Sequence, residues 1–329
     1  MANRVIDDPL FDLGSYARRG PGRRDHLTPS QVQQVARTVG RTPEVMVKVL
    51  ARGANDLGAV RRHLDYIGRK GHVDLETDDG EKLSDAQAGK DLVEHWDLEL
   101  DAQRSRADLV SRPGRTPPRL VHKLMFSMPA GTPPGKVLRA VQNFCREEFA
   151  LKHRYAMALH TDEPHPHVHV VVKAVSEQGE RLNIRKATLR HWRAEFARHL
   201  RALGVAANAT QRYVRGERSP RKSDGIYRAN LRGESIHMRG RADSVARDLS
   251  HGGVQVEPGK PKLVETHETV RRAWWTVSEV LVFERQPELA AQVRRFVDQM
   301  PAPLTEREWL AEKLIERRHI LRAREGPNP

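Results

Sequence analysis

Four predominantly apolar runs, at 45–51, 120–128, 155–160 and 168–175, each predict a β-strand, the first by its near-alternation of facing positions. Two shorter runs, 73–77 and 81–83, flank Asp79-Gly80 and predict a hairpin. A further short strand is expected at 182–184. Between these runs the spacing turns helical. Thr28 followed by Pro29 is a helix start, with the helix covering 30–39. A helix over 57–67 stops at Gly68 and Gly71. Others cover 84–96, 134–150 and 187–203. The last places Leu189, Trp192, Phe196 and Leu200 on one face and ends at Gly204. Residues 103–118 are basic and proline-rich and read as a surface loop.

Strands joined partly by hairpins and partly by helices predict an α+β fold around a largely antiparallel sheet. The expected organisation has four parts. Residues 1–43 form a basic N-terminal arm, carrying Arg18-Arg19-Gly20-Pro21-Gly22-Arg23-Arg24, with one short helix. Residues 44–215 form the principal domain. Residues 216–262 form a basic Gly/Arg-rich linker, and 263–329 a helical C-terminal region broken near 300–303. No Gly-x-Gly-x-x-Gly and no phosphate loop occurs, so neither a dinucleotide nor an ATP site is expected.

Composition narrows the partners. The formal net charge of +14 over 329 residues points to nucleic acid first and an anionic membrane surface second. Few aromatics argue against a chain built mainly to stack single-stranded bases. No apolar run is long enough to span a bilayer, and the N-terminus lacks an apolar signal core, so a cytoplasmic protein without membrane insertion is expected. A single cysteine, Cys145, excludes a disulfide framework and a cysteine-rich zinc site.

Any metal must therefore be held by imidazoles and carboxylates, and residues 160–169 concentrate them: His-Thr-Asp-Glu-Pro-His-Pro-His-Val-His. On a strand, His167 and His169 share one face while Val168, Val170 and Val172 take the other. A reversal through 161–166 lays His160 beside the pair. Three neutral imidazoles with an open side make a catalytic metal site. His165, between two prolines, falls in the turn. Asp162 is close enough to orient a ligand or to accept a proton. Imidazole alone suits zinc, manganese, copper or iron, and phosphate oxygens completing the shell admit harder ions. Tyr66, near the end of the 57–67 helix, is flanked by Arg61, Arg62, Arg69 and Lys70. Such surroundings attract a phosphodiester to a candidate nucleophile.

Three motifs together resemble the MOBP class of conjugative relaxases, which belong to the HUH (His-hydrophobe-His) endonucleases and include the T-DNA border endonuclease. Leu64-Asp65-Tyr66-Ile67-x-Arg69-Lys70-Gly71 resembles their tyrosine motif. Phe126-Ser127-Met128-Pro129-Ala130-Gly131-Thr132 resembles their second, with Met128 where Phe is usual. His160-x-Asp162-x-x-x-Pro166-His167-x-His169 resembles their third. The resemblance covers about residues 44–215, with the motifs in family order. It implies a palm sheet flanked by helices, a divalent cation (Mg²⁺ or Mn²⁺, with Zn²⁺ as the alternative) on His160, His167 and His169, and Tyr66 as nucleophile. It implies that Ser127 touches DNA beside the scissile phosphate, and that Asp162 orients a metal histidine or helps deprotonate Tyr66. Arg69, Lys70, Arg185 and Lys186 are further DNA-contact candidates. The implied activity is site- and strand-specific nicking of single-stranded DNA at an origin of transfer in a bacterial cytoplasm, with relaxosome accessory and coupling proteins as partners. Two alternatives keep the histidines or the charge without the tyrosine. One is a phosphodiesterase using metal-bound water, and the other a non-catalytic DNA-binding accessory protein.

Overall fold

The computed structural model describes residues 26–50, 55–111, 117–217 and 232–325, together with Leu13, Gly114 and Ala229. The basic run at 18–24, the last residue of the first expected strand (Ala51) and part of the expected 216–262 linker lie outside the described residues. The chain divides into two compact units, residues 41–209, and residues 1–40 with 210–329.

The unit 41–209 is built on a six-stranded antiparallel sheet: β1 Met46–Leu50, β2 Leu75–Thr77, β3 Lys82–Leu83, β4 Val121–Ser127, β5 Tyr155–His160 and β6 His167–Lys173. Their order is β1-β4-β6-β5-β2-β3, so β5 and β6 lie in the interior of the sheet. Helices cover both faces. Helix α5 (Pro134–Glu148) and helix α6 (Lys186–Ala202) pack on the face that carries Leu124, Phe126, Val168, Val170 and Val172. Phe126, Phe144 and Phe196 meet there at ring-centroid distances of 4.9 and 5.3 Å. Burial of each such ring stabilises by roughly 1.5–3 kcal/mol.

The opposite face receives helices α2 (Leu57–Ile67), α3 (Ala88–His95) and α4 (Leu98–Ser111). Asp56 caps α2 by accepting from the Ala59 N–H at 2.7 Å. Its apolar stripe is Val60, Leu64 and Ile67, spaced four and three residues apart, and all three are buried. Tyr66 is off that stripe. Gly89 of α3 lies so close to α2 that an added Cβ would meet Asp65 Oδ1 at 2.1 Å.

Two local expectations change. The segment expected to be a loop from 103 is helical up to Ser111, in α4. Among its described residues the buried apolar ones are Leu98 and Ala102, too few to show a period, and in the sequence Pro113 follows the helix by two residues. Residues 182–184 form no strand. A single bridge, Val175 to Arg181, closes a tight turn, and the Leu182 carbonyl accepts from His122 Nε2 at 3.0 Å.

The second unit is helical among its described residues. Helix α1 (Pro29–Val39) starts with a reciprocal cap between Thr28 and Gln31. Helices α8 (Lys260–Phe283) and α9 (Pro287–Asp298) share its core around Trp274, whose indole donates to the Val214 carbonyl at 2.7 Å. Helix α7 (Ile236–Ser250), within the stretch whose composition suggested a linker, pairs with α10 (Glu306–Glu325) through Met238, Val245 and Leu310. No described helix is long and apolar enough to cross a membrane.

Candidate active site

The strand register builds the site. His160 lies opposite His167, and Ala158 opposite His169, across β5 and β6. On the other side of β6, Ser127 pairs with His167 and Met125 with His169. All three histidines therefore share the sheet face that α2 covers. Their ring centroids are 4.8 to 5.2 Å apart. One nitrogen from each lies within 4.8 Å of the others.

Hydrogen bonds fix which nitrogens are available. A carbonyl can only accept, so His160 Nε2 donates to the Ile67 carbonyl at 2.7 Å and keeps its lone pair on Nδ1. His167 Nδ1 donates to the His165 carbonyl at 3.0 Å and keeps its lone pair on Nε2. His169 Nδ1 is buried without a partner. Carbonyls that hold imidazoles in this way are the usual supports of metal ligands. With one orphaned buried nitrogen beside two oriented ones, the donor set fits a divalent cation.

Burial favours the neutral form of His169, His160 and His63. Burial pushes His169 down to about 3, with His160, His167, His63 and Arg69 adding to the effect. Burial also lowers His160, against the opposing pull of the Ile67 carbonyl. His63 is pushed to about 4 by burial, then by Lys123 and His160. Asp162 goes the other way in charge. Slight desolvation raises it, but its own backbone N–H, Arg69 and His160 outweigh that and keep it an anion below its ordinary range.

Tyr66 stands at the last turn of α2 and is 52% exposed. Its ring stacks on His63 at 6.3 Å and 18°, and lies 6.3 Å from His160 and 6.4 Å from His169. The half-exposed phenol ring thus lies beside two of the three clustered imidazoles. The Arg69 guanidinium lies 5.0 Å over the same ring, donates to Asp162 Oδ2, and is 3.3 Å from His160 Nδ1.

Residues 66–205 match the family model described as Relaxase: MobA/VirD2-like, nuclease domain. This stretch is a relaxase nuclease domain. The match opens at Tyr66 and takes in the Ser127 turn and all three site histidines. No curated protein and no solved structure matches the chain. The antiparallel α+β fold is that of a relaxase, and such a domain is an endonuclease of the DNA-nicking type that handles single-stranded DNA.

Within the relaxase domain, the predicted residues fall into two groups. Tyr66, Arg69, His160, Asp162, His167 and His169 come together, and Ser127 adjoins His167 in the sheet. Lys70 is exposed beside Arg69. Arg185 and Lys186 are exposed at the start of α6, a helix packed on the opposite face of the sheet. Two residues escape sequence reasoning. His63 sits one helical turn before Tyr66, and its buried Nε2 has no partner. Only its spacing from Tyr66 could have pointed to it. His165 accepts from the Ala130 N–H at 3.0 Å, and the Pro166 carbonyl from the Met128 N–H at 3.2 Å. These two bonds dock the 128–132 turn onto the histidine turn. A second group that could hold an ion, Glu147, Glu195 and His199, is already occupied by Arg198, which bonds both carboxylates.

Proposed function

We propose that the relaxase domain is a site- and strand-specific single-strand DNA transesterase that nicks at an origin of transfer and so starts conjugative transfer or mobilisation. The half-exposed Tyr66 ring beside His160 and His169, two of three clustered imidazoles, supports this reading. Tyr66 Oη gives up its proton to a base, for which Asp162 or a site histidine is the candidate, and attacks the scissile phosphorus in line. The bond from phosphorus to the 3′ oxygen breaks, and that oxygen leaves as a hydroxyl after taking up a proton. The product is a 5′-phosphotyrosyl link that keeps the phosphodiester energy, so strands can be rejoined without ATP.

His160, His167 and His169 would hold a divalent cation, Mg²⁺ or Mn²⁺ with Zn²⁺ as the alternative, and the chemistry supplied there is charge stabilisation on a non-bridging phosphate oxygen. His63 supports the Tyr66 ring from one side. Asp162 orients Arg69 and, through it, His160. Ser127, Arg69, Lys70, Arg185 and Lys186 are assigned to the DNA backbone. The setting is a bacterial cytoplasm, with relaxosome accessory and coupling proteins as further partners.

The test uses labelled single-stranded oligonucleotides tiling the DNA next to the protein's own gene, with Mn²⁺. One of them is expected to give a covalent adduct on its 5′ end, and Tyr66→Phe is expected to give none. An adduct that survives Tyr66→Phe removes the nucleophile. Cleavage that leaves a free 5′-phosphate and no adduct replaces this reading with a hydrolase using metal-bound water.

A further inference from the structure

Arg69 touches three parts of the site at once, and the backbone is bent to put it there. Immediately after α2, Arg69 and Lys70 take φ of +51° and +54°, followed by Gly71 at +90°. Two consecutive L-residues in the left-handed region cost about 1–2 kcal/mol each. Gly71 is needed for its φ and for space, since a Cβ there would come within 2.8 Å of the Asp85 carbonyl carbon. The Gly71 and Val73 N–H groups both donate to the Gly68 carbonyl at 3.0 Å and close the turn. As a result the Arg69 side chain runs back over Tyr66 to Asp162 and His160.

The contact with His160 has a chemical consequence. Its Nε2 is committed as a donor to Ile67, so Nδ1 is an acceptor with one lone pair. Arg69 Nη2 donates to that lone pair at 3.3 Å. A cation held by the three imidazoles requires the same lone pair, and it serves one partner at a time. Guanidinium groups pair with phosphate in a two-pronged fashion and are weakly hydrated, so a DNA phosphate competes well for Arg69.

We propose that Arg69 and a divalent cation compete for His160 Nδ1, and that a phosphate of single-stranded DNA relieves the competition by drawing the guanidinium away. Cation and DNA then bind cooperatively, and by linkage each strengthens the other to the same degree. This rests on the reading above, in which the three imidazoles hold the cation and the DNA backbone enters beside Tyr66. It adds an order to it, because a cation becomes firmly seated only when a strand is present. Arg69 is in this sense a positioning residue that acts through His160.

The experiment is calorimetric titration of the full chain with Mn²⁺, with and without a mixed-sequence single-stranded oligonucleotide. Circular dichroism melts verify that each variant is folded. For the wild type, the oligonucleotide is expected to tighten Mn²⁺ binding about tenfold, the scale of one hydrogen bond to a charged donor. R69Q without DNA is expected to bind Mn²⁺ about tenfold more tightly than the wild type and to gain less from the oligonucleotide. R69K keeps the charge but loses the planar fork, and is expected to resemble R69Q. R69Q equal to the wild type overturns the proposal. So does R69K equal to the wild type, which would reduce the effect to net charge. If the wild type binds no Mn²⁺ under either condition, the cation site itself falls and takes this proposal with it. If the wild type binds and His167→Ala does not, the cation site stands whatever R69Q shows.

Discussion

The two faces of the nuclease sheet come from the same strands, residue by residue, yet they are built to different rules. The α5/α6 face is aromatic and closed, with Phe126, Phe144, Phe149, Trp192 and Phe196 in mutual ring contact. The α2 face buries Leu64, Ile67 and Val171, but also His160, His169 and Lys123. Its layer leaves His63 Nε2, Trp96 Nε1, Asp101 Oδ2 and His169 Nδ1 buried without partners. The aromatic face leaves one such atom, His122 Nδ1, among its described residues. Stability is therefore concentrated on one face, and the other gives some of it up to hold neutral imidazoles next to a tyrosine.

The largest effects should separate the faces cleanly. Phe144→Ala is expected to destabilise the domain by about 3–5 kcal/mol, read from urea unfolding, while the nicking rate of the folded fraction stays near wild type. His169→Ala should do the reverse. Nicking is expected to fall at least about a hundredfold, with a stability change within about 1 kcal/mol. A His169→Ala protein that unfolds as readily as Phe144→Ala would erase the contrast.

Acid should expose the same division at an intermediate size. His63 and His169 titrate near 4 and 3 when folded, against an ordinary 6.5 when unfolded. Their folded values are depressed, so the unfolded chain takes up protons that the folded one refuses. Stability is fully present above about 6.5 and is lost as pH falls towards 4 and 3. Each group contributes roughly 2 kcal/mol of loss by pH 5. Urea midpoints measured between pH 7 and 5 with EDTA present should show this, and His63→Leu should flatten the slope by about one proton. An unchanged slope in His63→Leu would mean that its imidazole is not kept neutral by the fold. The smallest test concerns strain. Lys70→Gly, at φ +54°, should stabilise the domain by about 0.5 kcal/mol, read from urea unfolding, since glycine adopts that conformation without a side-chain clash.

Much of the sheet and of the histidine cluster was readable beforehand because both depend on parity. A two-residue period places His167 and His169 together, and the turn length brings His160 opposite His167. The position of Tyr66 relative to them was not readable, because it depends on how α2 lies across β5 and β6. The stripe of Val60, Leu64 and Ile67 shows which side of the helix is buried but not where along the strands it rests. Arg69 was assigned to DNA on charge alone. The left-handed turn that ties it to Asp162 and His160 requires Gly71 to meet the backbone of 85–86, a contact between separate chain segments. Helices α4 and α7 were missed for a simpler reason. Each buries few apolar side chains, and in α7 they are Met238 and Val245, seven residues apart, so no hydrophobic period stands out.

Because β6 runs between β4 and β5, the segment from His167 to His169 is paired with strands on both sides, and His160 is paired with β6. Amides inside such a ladder exchange with solvent only when the whole sheet opens. The frame that carries His167 and His169 is therefore expected to last as long as the sheet itself. Helix α2 is joined to that frame by side-chain packing and by the bond from His160 to Ile67. The end of the helix that bears the tyrosine is thus held by contacts that single side-chain changes can alter, while the histidines are held by a backbone ladder that they cannot.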